Sequence, residues 1–281
     1  MRPLLALLIL PLLLVACSPS DADGDYADRM ATEHADETPT ATATTHGADS
    51  LDVRTEDVVY ATVNGEAVTG YLARPTDADG PLPAIIVIQE WWGLNDNIRA
   101  MARQFAAQGY TALAVDLYSG QVATTPDEAM SYMQAAMEEE AALTENVRQA
   151  YAYLTTEQQA PRVGSVGWCF GGGWSLRTAL ALPDDLDAAV IYYGQVVTDR
   201  DRLATLNVPL LGLFGADDQG IPIHQVQDFE STLQDLGKDA TVQIYEGANH
   251  AFANPSGERY NAEAAEDAWA RTTAFFAEHL K

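Results

Sequence analysis

Beyond residue 57 the chain switches repeatedly between two hydrophobic patterns. Short apolar runs, PAIIVIQE at 83–90, YTALAVDLY at 110–118, RVGSVGW at 162–168, LDAAVIYYG at 186–194 and VPLLGLFG at 208–215, read as strands covered on both faces. Between them apolar residues recur every three or four positions: from Asn95 to Gln108, closed by Gly109; from Pro126 to Thr156; from the glycines after Cys169 to about Leu182; from Ile223 to Leu236; and from Ala262 to His279. That spacing predicts helices. TVQIYEG at 241–247 adds a strand, and VVYATV and VTGYLARP alternate around Asn64-Gly65, the signal of an antiparallel hairpin. Strands that alternate with helices need crossover connections. The expected fold is therefore α/β: a mostly parallel central sheet with helices on both faces and an N-terminal antiparallel hairpin.

The first 57 residues follow another pattern. One early arginine and an apolar stretch from Pro3 to Val15 precede a small residue and Cys17. Thirteen apolar residues are too few to span a bilayer, so residues 1–16 read as a secretion signal. Leu14-Val15-Ala16-Cys17 resembles the bacterial lipobox, which implies lipidation of Cys17 and a lipid-anchored protein of the bacterial cell envelope. Residues 17–57 hold eleven acids against two arginines in Ser/Thr/Ala-rich text, the composition of a flexible tether. His34 and His46 fall in it, and no metal site is assigned to them. The folded unit is expected over 58–281.

Charge narrows the partners. Of the formal −26, the part carried by residues 58–281 is −18. Such a domain repels nucleic acid and anionic surfaces, so contact with a membrane is expected through the lipid anchor alone, and the chain is expected to act as a monomer. With Cys17 acylated, Cys169 is the one thiol left. No intrachain disulfide is then possible.

In a parallel sheet of this kind ligands bind outside the carboxyl ends of the strands. The polar residues expected there are Glu90, Asp116, Cys169, Asp217, Asp218 and His250. Gly167-Trp168-Cys169-Phe170-Gly171 has the form of a nucleophile elbow, G-x-S-x-G, with cysteine for serine. The turn from strand to helix is tight enough to require glycine two residues either side of the nucleophile. The helix that follows aims its amides at the sulfur and favours the thiolate. Of the five histidines, two lie in the tether, His224 opens a helix and His279 is two residues from the end, which leaves His250 as the base. The order nucleophile, acid, histidine is met by Cys169, His250 and either Asp217 or Asp218.

IQEWWG at 88–93, VDLYSG at 115–120, GWCFGGG at 167–173, FGADDQGIP at 214–222 and GANHAFAN at 247–254 together resemble the dienelactone hydrolase family of α/β-hydrolases. The resemblance implies a hydrolase of small-molecule esters or lactones. It assigns Cys169 as nucleophile, His250 as base, Asp218 as acid, Glu90 as the carboxylate that helps generate the thiolate, and the backbone N–H groups of Trp91 and Phe170 as oxyanion hole. Trp91, Trp92 and Tyr118 are expected to line an apolar pocket. The arginines with which the family holds the dienelactone carboxylate have no counterparts. None lies between Arg103 and Arg148, Asn254 stands at the second position, and Arg99 and Arg259 are expected in surface ion pairs. No metal or organic cofactor is implied, because no cluster of His, Cys and carboxylates has ligand spacing. The competing expectation is a ligand-binding or scaffold lipoprotein on the same fold.

Overall fold

The computed structural model describes residues 21–35, 37 and 51–281. The expected signal peptide, Cys17 and His46 lie outside the described residues. The chain runs α1 (Asp21–Glu33), β1 (Val53–Val63), β2 (Glu66–Pro75), β3 (Ala84–Ile88), α2 (Asp96–Ala107), β4 (Thr111–Val115), α3 (Pro126–Glu138), α4 (Glu140–Thr156), β5 (Val163–Trp168), α5 (Phe170–Ala181), β6 (Ala188–Tyr192), α6 (Arg200–Ala204), β7 (Leu210–Gly215), α7 (Ile223–Asp235), β8 (Ala240–Tyr245) and α8 (Ala262–Leu280). Among the described residues no helix is long and apolar enough to cross a membrane.

Eight strands form one sheet in the order β1-β2-β4-β3-β5-β6-β7-β8. β1, β2 and β4 pair antiparallel, and every pair from β4 through β8 is parallel. β3, β4, β5, β6 and β7 are buried along their whole lengths, as unbroken apolar text requires when helices cover both faces. The parallel strands all point their carboxyl ends to one edge, so Glu90, Cys169, Asp218 and His250, which follow β3, β5, β7 and β8, are delivered there together. A structural network steadies that edge. Tyr60 donates to Asn146 Oδ1 at 2.6 Å, Asn146 donates to the Asp116 carbonyl at 2.9 Å, and the Asp116 carboxylate accepts the Tyr118 amide at 2.8 Å and the Gly120 amide. Asp116 therefore fastens the loop after β4 and takes no part in the site.

The structure departs from the sequence pattern in three places. The helical text of 126–156 breaks at Glu139, in a run of three glutamates, because its halves pack on different partners: α3 on α1, α4 on β1 and α5. β1 starts at Val53, inside the expected tether. The larger departure is α1, also within the expected tether, which buries Tyr26, Ala27 and Met30, with His34 just beyond it. These positions recur at i, i+4 and i+8, a single apolar stripe in otherwise acidic text.

Candidate active site

Cys169 sits between β5 and α5 with φ 54° and ψ −119°, a left-handed conformation that costs a non-glycine residue roughly 1–3 kcal/mol. The packing around it dictates both glycines. A Cβ on Gly167 would strike the Gly171 carbonyl, and one on Gly171 would strike the carbonyls of Ile88 and Gln89 on β3. The Cys169 amide donates to the Tyr192 carbonyl at 3.0 Å, which pins the elbow to β6. The thiol stands at the N-terminus of α5, where the helix amides favour negative charge.

His250 comes from the turn after β8, and its Nδ1 bonds Asp218 Oδ2 at 2.8 Å with both side chains fully buried. Asp217 is exposed, so the two adjacent aspartates separate cleanly. His250 Nε2 is buried without a hydrogen-bond partner and lies within 4.8 Å of the Cys169 sulfur. Glu90 is buried, with Oε2 accepting from Asn254 Nδ2 at 2.9 Å and from Asn97 Nδ2 at 3.4 Å. Asn254, four residues beyond His250, thus caps the glutamate. Trp91 and Phe170 occupy neighbouring turns, since β3 and β5 pair in parallel up to Ile88 and Gly167. Both are buried, as are Trp92 and Tyr118, and Trp91 meets Trp92 edge-on at 4.8 Å.

α1 and the residues just beyond it, expected within the tether, instead form a roof over the site. Met30 Sδ lies 3.8 Å from Cys169 Sγ and His34 Nε2 lies 4.0 Å from it. The His34 ring stacks on Trp91 at 4.3 Å and meets His250 edge-on at 5.2 Å, while its Nδ1 bonds Glu37 Oε2 at 2.6 Å. Arg259 holds this segment down. It donates to the Glu33 carbonyl at 2.7 Å and carboxylate at 2.5 Å, pairs with Glu37, and lies 3.0 Å from His34 Nδ1. Arg29 adds a bond to the Gly220 carbonyl at 3.0 Å. Arg99 does make a surface pair, with Asp57, but Arg259 is partly buried and spends its charge on the roof. Under this cover Cys169 is 1% exposed, and a void of about 20 Å³ is left among Tyr26, Phe170, Trp174 and Arg177. His34 and Cys169, 135 positions apart and without ligand spacing in the sequence, meet through space.

Electrostatics poise the pair for nucleophilic chemistry. Burial pushes the Cys169 thiol up, but the charge of His250, followed by His34, more than offsets it and brings the thiol down to about 6. Burial works against charging His250, and Asp218 and then Cys169 overcome it, so the imidazole is held well above its ordinary value. The two shifts together describe a thiolate–imidazolium pair. Burial, then the Cys169 charge, raises Glu90 to about 7.

Comparisons with known proteins show the family. The model of the dienelactone hydrolase family matches residues 68–280. A protein of Saccharolobus solfataricus named "Putative carboxymethylenebutenolidase" is 32% identical over 257 residues, covering 78% of this chain and 97% of that protein. Protein usf of Aquifex pyrophilus is 34% identical over 224 residues, covering 77% and 96%. A Klebsiella pneumoniae crystal structure described as a "Putative Dienelactone Hydrolase" superposes with TM-score 0.73 at 31% identity, covering 80% of this chain and 99% of that one. Tyr26, Met30 and His34 lie outside the range that the family model matches. The chain belongs to the dienelactone hydrolase family, α/β-hydrolases that act on ester and lactone bonds.

Proposed function

We propose that this chain hydrolyses neutral small-molecule esters or lactones with Cys169 as nucleophile. The observation that carries the reading is a thiol presented on a strained elbow opposite an imidazole whose far nitrogen is fixed by a buried carboxylate. The Cys169 thiolate attacks the carbonyl carbon, and the amides of Trp91 and Phe170 take the developing oxyanion, each worth roughly 3 kcal/mol in such sites. His250 then gives its proton to the departing alcohol, leaving a thioester on Cys169. Water, deprotonated by His250, attacks that thioester, and collapse of the second tetrahedral intermediate releases the acid and restores the thiolate. Asp218 keeps the imidazole in the tautomer that both transfers require. Glu90, raised to about 7 by burial and then by the Cys169 charge, stands beside the pair as a carboxyl group that is part protonated near neutral pH and takes no proton from the thiol.

Neutral substrates are favoured by what surrounds the site. Asn254 bonds Glu90 where a carboxylate clamp would stand, the side chains buried around the site include Trp91, Trp92 and Tyr118, and the domain's charge of −18 repels anions. The reading includes a mature, monomeric protein held at a bacterial envelope by lipid on Cys17, on the strength of the apolar leader and lipobox-like text of residues 1–17. The test is turnover of a panel of neutral and anionic activated esters and lactones by wild type and Cys169→Ala, with circular dichroism on both. Loss of turnover by about four orders of magnitude in a folded Cys169→Ala chain is expected. Undiminished turnover in that variant would remove Cys169 from the mechanism.

A further inference from the structure

We propose that the roof completes a transition-metal site, in which His34 Nε2, Cys169 Sγ and His250 Nε2 are strong donors and Met30 Sδ a weak fourth, for one thiophilic ion, copper(I) foremost. The three strong donor atoms are buried and lie within 4.8 Å of one another. Bonds of about 2.0–2.1 Å to nitrogen and 2.3 Å to sulfur would set donors roughly 3.3–3.8 Å apart, so the 4.0 Å between Cys169 and His34 closes by a few tenths of an ångström and the widest pair, within 4.8 Å, by about 1–1.5 Å.

The surroundings of the donors argue for a metal more strongly than the distances do. Each imidazole has Nδ1 engaged by a carboxylate, His34 by Glu37 at 2.6 Å and His250 by Asp218 at 2.8 Å. A carboxylate that takes the Nδ1 proton leaves the Nε2 lone pair free to bind and fixes where it points, which is the usual outer support of a metal-bound histidine. His250 Nε2 is fully buried and is turned toward the Cys169 thiol. The set joins two borderline imidazoles to a soft thiolate and a thioether 3.8 Å from it, which disfavours magnesium and calcium, and the thioether tips the preference from zinc toward copper(I). On binding, the ion takes the thiolate and two neutral nitrogens, the single proton shared by thiol and imidazole leaves to solvent, and no atom changes oxidation state. The loaded form cannot attack an ester, and it ties the roof to the elbow.

This site does not depend on Cys169 being a nucleophile, and turnover measured with chelator present judges the hydrolase reading separately. The test is anaerobic titration of the full chain with copper(I) against the chromophoric chelator bicinchoninate. Wild type is expected to take one copper(I) per chain. His34→Phe keeps a ring to stack on Trp91 but removes the donor, and affinity should fall at least about 10–100-fold. Met30→Leu preserves the bulk of the roof and should weaken binding severalfold, and Cys169→Ser should abolish the thiolate-to-metal charge-transfer band given by cobalt(II). No uptake by wild type would overturn the site. So would unchanged affinity in both His34→Phe and Met30→Leu, which would leave the ion on Cys169 and His250 alone.

Discussion

Cys169 is approached from two sides that are built in different ways. Beneath it, the elbow is fixed by backbone: the amide of Cys169 on β6, the carbonyls of Ile88 and Gln89 against Gly171, and a sheet buried along five consecutive strands. Above it, α1 is fixed by side chains: Met30 and His34 on the site, Arg29 on Gly220, and Arg259 on Glu33 and Glu37. A helix of 13 residues is marginal by itself in water, so these few contacts decide whether α1 stays. The lower side cannot be altered without disturbing the fold, whereas the upper side can be lifted with the fold intact.

That contrast can be pressed hardest from below. Asp218→Asn should lower kcat by about 10²–10⁴-fold through the wrong imidazole tautomer, while Asp217→Asn, on an exposed neighbour, should leave kcat close to wild type. Equal losses in steady-state assays would mean that the buried 2.8 Å bond is not what orients His250.

Glu90, at the end of β3, tests the lower side by pH. Burial and the Cys169 charge raise it from 4.5 to about 7, so between those values the folded chain holds a proton that the unfolded chain has lost. Stability contributed by the protonated form is therefore complete below pH 4.5 and lost as pH rises through 7, by at most about 3 kcal/mol. Urea unfolding at pH 5 and pH 8 should show Glu90→Gln gaining on wild type at the higher pH. A difference between the two chains that is the same at both pH values would place the proton elsewhere.

The smallest effect is expected from above. Arg259→Ala removes two partly buried pairs worth roughly 1–2 kcal/mol together, so α1 should open about 5–30-fold more often. Alkylation of Cys169 by a bulky maleimide, followed by mass spectrometry, should quicken in proportion while thermal unfolding of the sheet changes little. An unchanged alkylation rate would show that reagents reach the thiol by a route that α1 does not govern.

The same contrast explains what could be read from sequence. The sheet was legible because runs such as Ala84–Ile88 are apolar without interruption, and the elbow because Gly167, Cys169 and Gly171 occupy fixed offsets. Adjacent acids at a strand end cannot be told apart by spacing, and only the packing that exposes Asp217 and buries Asp218 decides between them. The short α6 carries too few residues to show a period. Tyr26, Met30 and His34 were hidden by averaging, since their stripe is three residues wide in strongly acidic text and its partner surface lies more than a hundred positions away. The one trace in the text is Tyr26 and Met30 spaced four apart, with His34 four further on.

Arg259 has a kinetic consequence as well. The helix that covers the thiol and the elbow that bears it belong to one chain, so the covering group is an internal occupant of the site. Being part of the same chain, it competes for the site to the same extent however dilute the protein is. A substrate competes with that internal occupant, and its apparent KM is the intrinsic value divided by the fraction of chains that are open. Loosening the arginine's grip tenfold would then lower KM up to tenfold at constant kcat, a change of apparent affinity made without touching any residue that meets the substrate.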